Sequence, residues 1–235
     1  MTSETTRARI VDAASALLRE GGREAVSTRA VSALAGVQAP AIYRIFKDKK
    51  GLLDAVASEG FASYLRGKKA LEPSDDPVAD LRRGWDLHVG FGVAQPAFYT
   101  LIYGEPRPGE ESPAAAEAAR ILAAQVHRIA AAGRLRTTEE RAARLIHSAG
   151  SGMVFTLIAL PPERRDPELS ALARESVIAA VTTEKPHAGA EDGAAGSATT
   201  LRAALPAVTV LTDGERALLG ELLDRISRTE STPRR

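Results

Sequence analysis

The chain has 235 residues, of which 44% are apolar, 26% charged and 4% aromatic, the composition of an ordinary globular protein with room for a real core. It contains no Cys, which excludes disulfides, thiolate chemistry and any Cys-containing zinc site. The net charge of +1 hides an asymmetry: residues 1–50 carry nine Lys or Arg against five Asp or Glu, and the remainder 22 against 25, so a basic end on a slightly acidic body is suited to meet a polyanion.

Abundant Ala, Leu, Arg and Glu favour helix over sheet, and the periodicity agrees from the start. Ile10, Ala13, Ala14, Leu17 and Leu18 recur at helical spacing, and Gly21-Gly22 closes that helix. Ser27 or Thr28 caps a short helix from Thr28 to Ala35, Gly36 interrupts it, and a second short helix runs from about Gln38 to Phe46 with Pro40 in its first turn. Asp48 can cap the next helix, which buries Leu52, Leu53, Val56, Ala57, Phe61 and Leu65.

EPSDDP after Leu71 reads as a linker-like turn. Residues 78–95 read as a helix broken near Gly90 to Gly92, followed by a short aromatic-rich helix from Pro96 and the loop EPRPGEESP. An Ala-rich helix then stops at Gly133, another starts near Thr137 or Thr138 and ends at Pro161-Pro162, and an amphipathic helix occupies about 167–183. KPHAGAEDGAAGSATT, residues 185–200, reads as a flexible linker. AVTVL at 207–211 is the one candidate strand, and the last helix, 213–228, lines up Leu218, Leu219, Leu222, Leu223 and Ile226. The fold class is therefore all-α, divided as 1–70, 71–184, the linker 185–200 and a one-helix extension over 201–235. MTSETTRARIVDAAS lacks the layout of a secretory leader, and the longest apolar run, Met153 to Leu160, is far short of the roughly 20 residues that span a bilayer. A cytoplasmic protein is expected.

Two short helices joined at a glycine, stacked on a third, make a helix-turn-helix. Val31 and Ile42 would face the first helix, Gly36 the turn, and Val37 the gap behind it. Ser32 falls where the helices approach closely. From Arg7 to Val56 the segment resembles the DNA-binding domain of TetR-family transcriptional regulators, and the most specific run is GVQAPAIYRIFKDKKGLL, Gly36 to Leu53. The resemblance implies an N-terminal three-helix DNA-binding domain and a larger C-terminal helical bundle that dimerises and binds a ligand.

It also implies site residues. Gln38, Ala39 and Pro40 would open the recognition helix toward the major groove, Gln38 suited to adenine and Ala39 to a thymine methyl. Arg29 or Arg44 would reach guanine or a phosphate. Thr28, Tyr43 and Lys49 would contact phosphates, Lys49 beside a helix N-terminus that favours an anion. Ile45 departs from the usual His or aromatic residue there, and Ser32 from the usual Ala. Lys47 and Lys50 read equally well as solvated charge, and Phe46 as core.

For the C-terminal block the resemblance is one of architecture. It implies a homodimer built on helices about 139–159 and 167–183, with Leu145, Ala149, Gly152, Met153 and Thr156, together with Leu157, on the packing face. A pocket for an unidentified, largely apolar small-molecule effector would draw on Trp85, His88, Phe91, Phe98, Tyr99 and Tyr103, a cluster that would serve equally as core. No H-E-x-x-H, G-x-S-x-G or phosphate-cradling glycine loop occurs, so no enzyme activity, cofactor or metal is expected. The reading is a ligand-responsive repressor that binds a palindromic double-stranded operator as a homodimer. The alternatives are an activator or effector-independent regulator, and a small-molecule-binding or scaffold protein whose helix-turn-helix no longer reads DNA.

Overall fold

The computed structural model describes residues 3–70, 72–104, 112–184 and 193–228. Among them the expected all-α fold is found, with no strand beyond one isolated antiparallel bridge between Leu135 and Thr182. The helices are α1 (Ser3–Ala25), α2 (Thr28–Ala35), α3 (Ala39–Phe46), α4 (Lys49–Ala70), α5 (Pro77–Ala94), α6 (Pro96–Tyr103), α7 (Pro113–Ala131), α8 (Glu139–Ile158), α9 (Leu169–Val181), α10 (Gly193–Ala204) and α11 (Asp213–Ser227). No helix is long and apolar enough to cross a membrane, and no cluster of three metal-ligating side chains occurs, among the described residues.

The chain divides into two compact units, Met1–Ala70 with Gly90–Ala118, and Leu71–Val89 with Ala119–Arg235. The first unit is thus larger than the expected 1–70, because α6 packs on α1 and α4. Phe98 of α6 is 1% exposed within the core formed by Ile10, Ala14, Leu18, Val26, Val31, Ile42, Phe46, Leu52 and Val56. It is a core residue of this unit, which corrects its placement among pocket residues. Gly60 makes room for it: a Cβ there would lie 2.1 Å from the Phe98 ring. The Arg19 guanidinium also lies over this ring, 5.0 Å from its centroid.

Local sequence explains most of the helix ends. Gly21 and Gly22 leave helical geometry, Gly22 at φ 66°, so α1 kinks where its end was expected and continues for one more turn. Thr138 caps α8 by accepting from the Arg141 N–H at 3.2 Å. At α11 the cap is a full capping box, the Thr212 hydroxyl accepting from Glu215 N–H while the Glu215 carboxylate accepts from Thr212 N–H. α5 runs through Gly90–Gly92 without the expected break, since two glycines cost a helix only about 1 kcal/mol each.

In the second unit Asp80, almost fully buried, gathers Ser74, Arg83 and Arg128. Burial alone would raise its carboxyl, but those bonds and the Arg83 charge outweigh it and hold the group at about 2. Trp85 is buried and donates its Nε1–H to Ser170 Oγ at 3.1 Å, and Arg82 grips Glu175 through two nitrogens. Both bonds tie α5 to α9.

Two expectations fail near the C-terminus. Residues 193–200, placed in a linker, form most of α10, because GAAGSATT is short-chained enough to pack closely on α11 and Thr199 is buried there. Residues 185–192 lie outside the described residues. Residues 207–211 form no strand: Leu205–Ala207 is a short 3-10 turn, and Val210 is exposed. α10 and α11 enclose a small core of Ala198, Leu205 and Leu223. The leucine face of α11 splits accordingly, with Leu219 and Leu223 on α10 and Leu218, Leu222 and Ile226 exposed.

Candidate nucleic-acid interface

Gly36 takes φ 61° and ψ 42°, the left-handed geometry that lets α2 stop and the chain turn in one residue. Val37 N–H then donates back to Ser32 O at 3.1 Å, and the Val37 side chain packs on the core. From α1, Arg9 donates through Nη2 to Ala35 O and to Gly36 O, so a guanidinium sits on the C-terminal carbonyls of α2. Val31 and Ile42 are buried beneath the turn. α2 and α3 are therefore held as a fixed pair against α1. Ser32 Oγ is buried in this contact with no hydrogen-bond partner among the described residues.

α3 presents its opposite side to solvent. Gln38 is its N-cap residue, but its side chain makes no capping bond, and Pro40 at the start needs no N–H partner. Gln38, Pro40 and Arg44 are exposed, Ala39 is half-buried, and Tyr43 is 51% exposed. Ile45 is half-buried against the core, which explains why an aliphatic residue is accepted there. On α2, Arg29 is exposed and Thr28 half-buried.

Lys47 ends α3 at φ 68°, the single non-glycine residue with positive φ among those described, and donates its N–H to Tyr43 O at 2.9 Å. This tight reversal starts α4 at once, with the Asp48 carboxylate accepting from Gly51 N–H at 2.7 Å. Lys49 is exposed at that helix start, while Lys50 pairs with Asp54 at 3.9 Å.

Two groups of polar side chains stand out in and around the helix-turn-helix. In α1, Arg9 is bonded to α2, Arg7 lies over Phe46 at 5.6 Å and Arg19 over Phe98, so these cations hold the fold. Arg29, Gln38, Tyr43, Arg44, Lys47 and Lys49 make no side-chain bond or ion pair among the described residues. Donors left exposed and uncommitted on one helix pair and the adjoining helix start can bond a ligand's acceptors without breaking anything. Phosphate oxygens and base edges are such acceptors.

The expected pocket residues do not form one group. Trp85 and His88 belong to the second unit, where a Cβ on Gly150 would lie 3.4 Å from His88 and 3.6 Å from Trp85. Phe91, Tyr99 and Tyr103 belong to the first unit. There they join two rings of α4 that were assigned to core or passed over: Phe61 lies 5.0 Å from Phe91 and 4.5 Å from Tyr64, and Tyr99 lies 4.8 Å from Tyr103. Lys68 lies over Tyr64 at 5.4 Å. It went unnoticed in the sequence, although 61, 64 and 68 share one helical face by spacing.

On α8 the expected packing face is split. Leu145, Gly152 and Thr156 are exposed and Ala149 half-buried, but Met153 and Leu157 are buried within their own unit. A 3.6-residue period places 145, 149, 152 and 156 on one stripe and 153 and 157 on the next. Met153 is accordingly corrected to core.

The family model "Bacterial regulatory proteins, tetR family" matches residues 10–56, the span from the middle of α1 into α4. HTH-type transcriptional regulator Rv1816 of Mycobacterium tuberculosis is 28% identical over 151 residues, 58% of this chain and 62% of that protein. The chain therefore matches less than two thirds of that relative's length. Among solved structures, a protein of unknown function from Rhodococcus sp. RHA1 shares the fold with TM-score 0.61 and 23% identity, over 76% of this chain and 96% of that one. A TetR family transcription regulator from Marinobacter aquaeolei VT8 does so with TM-score 0.56 and 17% identity, over 77% and 97%. The helix-turn-helix segment, residues 10–56, thus matches the DNA-binding segment of the TetR family of bacterial transcriptional regulators, and the fold is shared with those solved structures.

Proposed function

We propose that the chain regulates transcription by binding a near-palindromic double-stranded operator as a homodimer, as a repressor released by a small-molecule effector. The observation that carries this reading is the uncommitted face of α2, α3 and the start of α4. Gln38 and Ala39 meet base edges at the tip of α3, Arg29 and Arg44 meet guanine or phosphate, and Thr28, Tyr43 and Lys49 meet the backbone. The Asp48 cap leaves the remaining first-turn N–H groups of α4 available to a phosphate beside Lys49.

The homodimer reading is supported by α8 and α9. Leu145, which is 45% exposed, Gly152 and Thr156 on α8 and Leu172, Ser176 and Ala179 on α9 form small or apolar exposed stripes. A Cβ on Gly152 would meet nothing, so two helices can approach there. Two-fold pairing sets two α3 helices on successive major-groove half-sites and makes the operator two-fold symmetric.

Gel shifts with DNA flanking the chain's own gene test the reading. A shift is expected at low salt, weakening steeply as salt rises. Gln38→Ala should relax preference at one base position, and Tyr43→Phe should weaken every sequence alike. No shift on any flanking fragment at low salt would sink it and leave the small-molecule-binding or scaffold reading. Reporter output that falls, rather than rises, when the gene is deleted would make the protein an activator.

A further inference from the structure

Lys68 is 8% exposed near the C-terminal end of α4, and no carboxylate among the described residues neutralises it. Its neighbour Lys69 pairs with Glu117 at 2.8 Å, so pairing was within the sequence's means. What surrounds Lys68 instead is aromatic. Its ammonium lies over Tyr64, and Tyr64 packs on Phe61 and Phe91 at 4.5 and 5.1 Å. Tyr99 and Tyr103 extend the cluster from α6. A desolvated cation without a counter-ion is costly, and the stack on a ring offsets only part of that cost. Such a group persists where a ligand supplies the opposite charge. Phe91 and Tyr103 are only half-buried, so the cluster is not closed on their side.

We propose that Lys68 and the rings of Phe61, Tyr64, Phe91, Tyr99 and Tyr103 form the effector site, and that the effector is a small organic acid. Its carboxylate binds Lys68 and its aliphatic or aromatic body lies on the rings. The ion pair gives the ammonium a counter-charge in place of the hydration that burial removed, while the rings supply apolar area and weakly polar edges. The site is also placed to act. α4 is 22 residues long and runs from Lys49 to Ala70, so the same helix carries a proposed phosphate contact at one end and Lys68 near the other. Tyr99 and Tyr103 lie on α6, which packs on α4 and α1. A ligand that wedges between these rings shifts α4 at both ends, and it alters operator affinity only by its preference for one of the two arrangements.

The inference deepens the regulator reading but is tested without DNA. Hexanoate, octanoate, decanoate and phenylbutyrate are compared with the corresponding alcohols by thermal shift and calorimetry on the full chain. At least one acid should raise the melting temperature and bind about tenfold or more tighter than its alcohol, the usual scale for a charge-assisted bond. Lys68→Met should keep the helical circular dichroism and bind acid and alcohol alike, while Lys68→Arg should keep the preference. Equal binding of acid and alcohol by the parent, binding of neither, or an undiminished acid preference in Lys68→Met would overturn the proposal. Operator binding is measured separately on the same proteins. Acid discrimination without any DNA shift removes the regulator role and leaves this site standing; a DNA shift without discrimination does the reverse.

Discussion

Gly36 and Lys68 are single residues whose roles follow from one local property each. Gly36 is left-handed at φ 61°, and an added Cβ would lie 3.2 Å from Arg9 Nη2, the group that caps α2. Gly36→Ala therefore strains the backbone and pushes the cap aside, for a loss of about 1–2 kcal/mol in denaturant unfolding. For Lys68, burial pushes the ammonium from 10.5 down to about 8. At pH 7 the folded and unfolded chains are both protonated, so the fold carries the whole cost of the buried charge, at most about 3 kcal/mol. Lys68→Met should then melt above the parent at pH 7. Between about pH 8 and 10 the native parent has released the proton and the unfolded chain has not, so the parent gains stability with pH and the advantage of Met shrinks. Above about pH 10 Tyr64 reverses the trend, because burial keeps its hydroxyl protonated in the fold while the unfolded chain ionises. Melting curves of both proteins from pH 7 to 10 check this; a constant gap would contradict it.

Among the elements, the α4–α6 contact decides how far the first unit extends, and it turns on Gly60. Alanine there gains about 1 kcal/mol of helix propensity but drives a methyl into a fully buried ring over which Arg19 also lies. Overpacking of this kind costs typically 1–3 kcal/mol, so Gly60→Ala should destabilise by about 1 kcal/mol net. Phe98→Leu in the same chain should relieve the clash and leave the pair less unstable than the sum of the two changes, which a double-mutant cycle measures.

The same contact shows what the sequence could and could not reveal. α2 and α3 were legible almost to the residue because their caps are local: Ser27 accepts from Ala30 N–H at 3.1 Å, and Gly36 supplies the turn. Phe98 read as a pocket residue because apolar character does not say which partner a ring will meet. Residues 193–200 read as linker because small residues carry little propensity of their own, and the packing of α10 on α11 decides their state. Lys68 was overlooked because a lysine is normally solvated, and only the fold shows it lying on rings without a carboxylate.

At the scale of the whole molecule, cations that hold the fold are distinct from those left uncommitted on the surface. Arg82, Arg83, Arg128, Arg134 and Arg174 in the second unit are each paired with Asp or Glu, and Arg7, Arg9 and Arg19 hold the first unit together. Arg29, Arg44 and Lys49 are exposed and uncommitted on the helix-turn-helix face. DNA binding by that face rests on phosphate contacts, and Lys49 is the charged residue to which only such a contact is assigned. The direct measurement is the affinity for flanking operator DNA across a series of salt concentrations, for the parent and for Lys49→Ala. A log–log line falling with salt is expected for the parent, with Lys49→Ala weaker on every sequence and its slope shallower by about one. No binding at low salt, or a Lys49→Ala line that superimposes on the parent's, would contradict it.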